Sequence, residues 1–115
     1  MKRALTLALL SLSTAAAMDG GGKWTDTTIT SITANAPAQG YVLLTLASSS
    51  TGTPSCASGE PRNVVIPMTP GGKEAVGIAE SAMMTGKTVT VTGMGTCSVV
   101  STAETLLSIQ MTANH

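Results

Sequence analysis

The residues able to do chemistry in this 115-residue chain are few: six carboxylates, one histidine and two cysteines. A serine or cysteine nucleophile needs a base to take its proton, and the single histidine is His115, the terminal residue, where a chain frays. The carboxylates Asp19, Asp26, Glu60, Glu74, Glu80 and Glu104 are spread singly. Glu74 and Glu80 fall in one helical stretch, but six residues is not a helical repeat, so they do not face each other as the acid and base of a glycosidase would. Transition metals need converging ligands, and the cysteines are assigned to each other below. Met68, Met83, Met84, Met94 and Met111 read as flexible filler for a core without phenylalanine, in preference to soft copper ligands. Thr85-Gly86-Lys87-Thr88 ends like a phosphate loop, yet Ser81 occupies the first glycine position and the helical pattern precedes the motif instead of following it. No catalytic residue, metal or cofactor is expected.

The N-terminus carries a different kind of information. Met1-Lys2-Arg3 is positive, Ala4 to Leu12 is apolar apart from Thr6 and Ser11, and Ser13 to Ala17 are small. That layout predicts a cleavable signal peptide over residues 1–17, with Ala15 and Ala17 in the small-x-small frame and Ser13 and Ala15 as a second frame ending after Ala15. The apolar run is about half of the roughly 20 residues a membrane-spanning helix needs, and no later segment comes closer, so no span remains after cleavage. Removing the leader leaves Lys23, Arg62, Lys73 and Lys87 against six acids. No basic footprint for nucleic acid survives. An exported chain meets an oxidising compartment, secreted or periplasmic, where Cys56 and Cys97 are expected to pair. The closed loop of about 40 residues stabilises by roughly 4 kcal/mol in the chain-entropy view. The staple matters because Trp24 and Tyr41 are the only aromatics and burial must come from smaller side chains.

The elements that position these residues follow from pattern. Residues 18–23, with Gly20-Gly21-Gly22, read as a flexible leader, and residues 24–115 as a single domain. Thr27 to Thr33 predicts a strand with an irregularity, Ala36 to Gly40 a turn, and Tyr41 to Leu46 a buried strand. Ser48 to Ser58 is a loop ending around Cys56. Val64-Val65-Ile66 is a short strand stopped by Pro67, and Thr69-Pro70-Gly71-Gly72 breaks the chain. From Lys73 to Met84, Ala75, Ile78, Ala79, Ala82 and Met83 recur at helical spacing, with Gly86 as the stop. Gly77 in mid-helix implies close packing or a weak helix. Lys87 to Thr92 alternates strictly, Gly93 to Cys97 turns, and Leu106 to Met111 is a last strand with Leu107, Ile109 and Met111 on one face.

This order predicts a mainly β fold with one helix: a small five-stranded, OB-like Greek-key barrel, the helix lying between strands three and four. The alternative is an open β-sheet with one helix packed on a face. The stretch Lys73-Glu74-Ala75 through Ala79, then Thr85-Gly86-Lys87-Thr88-Val89-Thr90-Val91, preceded by Gly52-Thr53-Pro54-Ser55-Cys56, resembles the OB-fold receptor-binding B subunits of AB5 toxins of the subtilase-cytotoxin and typhoid-toxin kind. It is also similar to the small exported bacterial proteins of their layout. The resemblance implies that Trp24-Thr25-Asp26 stands where those subunits contact terminal sialic acid, with Thr25 and Asp26 bonding the sugar and Trp24 offering an apolar face; it also implies a homo-oligomer. Read from the residues alone, a lone tryptophan at the edge of the domain caps one end of the core in preference to forming an exposed recognition face. The expected function is an exported, non-enzymatic binding domain for surface glycans. The alternative is a structural or envelope-associated protein that binds another exported protein.

Overall fold

The computed structural model describes residues 21–35 and 40–112. The predicted signal peptide and His115 lie outside the described residues, as does most of the Ala36–Gly40 turn. Six strands form: β1 (Lys23–Thr27), β2 (Ile29–Asn35), β3 (Tyr41–Leu46), β4 (Asn63–Pro67), β5 (Val89–Gly93) and β6 (Glu104–Met111). One helix, α1 (Pro70–Thr85), lies between β4 and β5, and a 3-10 turn spans Ser55–Ala57.

The strands make one open mixed sheet in the order β1-β5-β6-β4-β3-β2, with β4 and β6 parallel and the other pairs antiparallel. The expected five-stranded closed barrel is corrected on both counts. The single first strand is two, because its register shifts on either side of Thr28 and sends β1 to β5 and β2 to β3. Closure needs continuous pairing around a ring. Here β4 and β6 pair only at Val64↔Glu104 and Val65↔Thr105, and the two outermost strands are joined covalently through Thr28 with no ladder between them. What forms is an open sheet with one helix packed against β6, β2 and β4.

Helix α1 starts three residues before the periodic pattern. Thr69 is its N-cap, with Oγ1 accepting from Gly72 N–H at 3.0 Å, and Pro70 occupies the first turn, where its missing N–H costs nothing. Gly72 is required for packing: a Cβ there would sit 1.8 Å from the Pro67 carbonyl oxygen. The helix ends at Gly86, φ 72°, with Lys87 N–H returning to the Ala82 carbonyl. Its buried face is made of small residues, Gly72, Ala75, Ala79 and Ala82, so the helix lies close on the sheet. Met83, expected on that face, is exposed.

The core is aliphatic around one large aromatic. Trp24, Leu44, Leu46, Val64, Ile66, Val89 and Val91 are fully buried. Cys56, in the 3-10 turn, is bonded to Cys97, between β5 and β6, with Cα atoms 6.2 Å apart, inside the span a disulfide bridges. The expected pairing is present and suits an oxidising compartment. Among the described residues no helix is long and apolar enough to cross a membrane.

Two stability measurements follow. Gly77 is exposed and a Cβ there meets nothing within 4 Å, so of the two expectations, close packing or a weak helix, the first is not met. Gly77→Ala should raise stability by about 0.5–1 kcal/mol, and an unchanged or lower thermal midpoint would contradict this. Cys97→Ser should cost roughly 2–5 kcal/mol; equal midpoints with and without reductant in the parent chain would show that the bond contributes nothing.

Candidate functional site

The three residues predicted to contact a ligand divide sharply. Trp24 is 1% exposed and donates Nε1–H to the Pro61 carbonyl at 3.0 Å. Its indole fills the core and presents no face to solvent. Thr25 and Asp26 are exposed because Trp24↔Val91 is followed by Thr27↔Val89. Three steps on β1 match two on β5, which makes a bulge that turns two consecutive side chains outward. Asp26 takes φ 47°, uncommon for a residue other than glycine. Its Oδ1 accepts from Thr112 Oγ1 and its N–H donates to Thr90 Oγ1, both at 3.4 Å. The site therefore has two polar exposed groups and no stacking platform.

A second bulge governs β6. Thr92 pairs with Ser108, but the next residue, Gly93, pairs with Leu106. Leu107 is the extra residue. It is 60% exposed while Leu106 is 8% exposed, the reverse of the expected alternation. Before the bulge Glu104 and Leu106 point inward; after it Ile109 and Met111 pack on the core. An unbroken alternation that buried Ile109 and Met111 would have placed Glu104 outside.

Glu104 is fully buried, and no sequence pattern announces it. Its Oε2 accepts from the backbone N–H groups of Gly22 and Gly95, both at 2.8 Å; Oε1 is buried with no hydrogen-bond partner among the described residues. Glycine makes room for the carboxylate. A Cβ on Gly93 would lie 2.1 Å from Oε2, and one on Gly22 2.6 Å from Oε1. Gly22 is itself buried, and its carbonyl accepts from Gly93 N–H at 2.8 Å. Lys23 exchanges two backbone bonds with Thr51, each 2.9 Å. Gly22 and Lys23, which fall in the predicted leader, thus hydrogen-bond to the domain. Glycine-rich composition here serves close approach as well as freedom.

The exposed Leu107 stands on the rim of an open groove of about 350 Å³ between α1 and β6. Pro67, Gly72, Ile78 and Ile109 supply apolar walls, and Glu74 is the one charged residue lining it. Sequence reading missed the groove, since the bulge that builds its rim is invisible in an alternation count. Among the described residues no three His, Cys, Asp or Glu side chains come together as metal ligands.

No known protein family, curated relative or solved structure matches this chain.

The clasp can be dissected by a double-mutant cycle. Glu104→Ala should cost at least about 2 kcal/mol, since two N–H groups lose their acceptor in a buried site. Gly93→Ala should be similarly harmful alone, because its methyl collides with the carboxylate, and markedly less so once Glu104 is alanine. Additive losses in denaturant titrations would contradict the contact.

Proposed function

We propose that this chain is an exported, non-enzymatic binding domain whose α1/β6 groove takes a segment of another protein. The observation that carries this reading is Leu107, a large aliphatic side chain turned to solvent by a bulge at the rim of an apolar groove. Bulges recur where a strand must re-aim a side chain for function. Exposure of one leucine is ordinary; its place beside Ile78, Pro67 and Ile109 makes it part of a continuous surface. The disulfide supports export, since it suits an oxidising compartment.

A glycan reading remains as the second, and Asp26 favours it. Backbone strain at an exposed polar residue is a pointer to function, and Thr25 and Asp26 lie together on the β1 bulge. Against it stands the burial of Trp24, which removes the apolar platform that the resemblance to toxin B subunits implied.

Selecting displayed random peptides and probing a glycan array with the same folded protein, residues 18–115, separates the two. The groove reading expects enriched peptides whose binding is lost in Leu107→Asp and kept in Thr25→Ala/Asp26→Ala. Glycan binding that survives Leu107→Asp and disappears in the Thr25/Asp26 variant, with no peptide dependent on Leu107, would overturn it.

A further inference from the structure

The groove has a polar edge as well as apolar walls, and that edge specifies the shape of its occupant. Thr112 donates its N–H to the Thr88 carbonyl at 3.0 Å, and the register sets Gln110 opposite Thr90 and Ser108 opposite Thr92. Residues that exchange hydrogen bonds alternate along an antiparallel ladder. Thr112, Gln110 and Ser108 therefore bond to β5, and Ile109 turns its N–H and C=O the other way.

That other side is occupied by β4 only at Glu104 and Thr105. Further along, β4 has ended its pairing, and Pro67, Thr69 and the first turn of α1 form the opposite wall. The Ile109 main chain has no hydrogen-bond partner there among the described residues. An unpaired strand edge is a template for another extended chain. Beside it, Glu74 is exposed and forms no ion pair among the described residues. Its charge calls for a cation in whatever fills the groove.

We infer that the occupant is an extended segment of another protein bearing a lysine or arginine: its main chain pairs with Ile109, an aliphatic side chain lies against Ile78 and Leu107, and its cation meets Glu74. This rests on the protein-binding reading above and adds the conformation and charge of the partner. Three features converge within one short stretch of β6 and the facing turn of α1. A sugar would satisfy the polar edge but not the leucine rim, and a helical segment would leave the Ile109 main chain unpaired.

The test uses three synthetic hexapeptides and ¹⁵N-labelled residues 18–115. The first is acetyl-Thr-Val-Lys-Val-Thr-Lys-amide, the second carries glutamate in place of both lysines, and the third repeats the first with N-methylated valines. The lysine peptide should shift the amide resonances of Ile78, Leu107 and Ile109 and bind about fivefold more tightly than the glutamate peptide, as expected for an exposed charge pair. Glu74→Lys should invert that preference, and N-methylation should abolish the shift at Ile109. Binding in the groove that ignores peptide charge, Glu74→Lys and N-methylation overturns the inference. Absence of any groove shift with the lysine peptide overturns it equally. If display-selected peptides still require Leu107 in either case, protein binding stands without the strand-like, basic partner; if they do not, that reading falls as well.

Discussion

Side-chain parity along β6 is the constraint on which the rest of the molecule turns. A regular strand alternates its side chains between two faces, and β6 needs Glu104 and Leu106 inside at one end and Ile109 and Met111 inside at the other. Even-numbered and odd-numbered positions cannot both point inward without an added residue. Leu107 is that residue, inserted between Leu106, which pairs with Gly93 on β5, and Ser108, which pairs with Thr92. The bulge lets a carboxylate enter the domain and, by the same step, pushes a leucine out of it.

The buried carboxylate then organises three stretches of chain that would otherwise have little to hold them. Glu104 Oε2 gathers the N–H groups of Gly22 and Gly95, and Gly22 in turn accepts from Gly93. The start of β1, the end of β5 and the start of β6 meet at this point. Thr105 secures the neighbouring loop from the opposite face, its carbonyl accepting from Met94 N–H and its Oγ1 from Ser98 N–H. The Cys56–Cys97 bond ties the same loop to the 3-10 turn before β4. A core with one tryptophan and no phenylalanine buries modest area, so a buried side-chain acceptor and a covalent staple carry a large share of the constraint on these loops. The bulge at Thr25 and Asp26 works by the same logic: it buries both Trp24 and Thr27 while turning the two residues between them outward.

What could be read from sequence was what local pattern decides. The strand Tyr41–Leu46 appears with the bounds its composition implies, and the helix appears where apolar residues recur at three and four, ending at Gly86 as expected. Its start was misread because Gly71-Gly72 looks like a breaker, whereas Thr69-Pro70 is a cap and first turn and Gly72 is there for contact with Pro67. The disulfide was legible because two cysteines behind a predicted export signal have one connectivity. The irregularity expected within Thr27–Thr33 appears as the register shift between Ile29 and Ser31, but the bulge of β6 was not legible. Leu107, Ile109 and Met111 do alternate, but Leu106 is equally apolar, and the choice between them is made by Gly93 on another strand and by two glycine amides from elsewhere in the chain. Trp24 could be read from sequence either as a cap on the core or as an exposed recognition face, and the core reading holds: as the largest apolar side chain it is buried, leaving Thr25 and Asp26 alone outside.

The clasp is tested most directly by amide hydrogen exchange at Gly22 and Gly95 in the intact domain. Both N–H groups bond to Glu104, so both should exchange only through large-scale opening, with the slow rates of the β5 and β6 ladder amides. Exchange at the rate of an unprotected glycine, at Gly22 above all, would contradict a carboxylate-centred clasp and return residues 21–23 to a mobile leader.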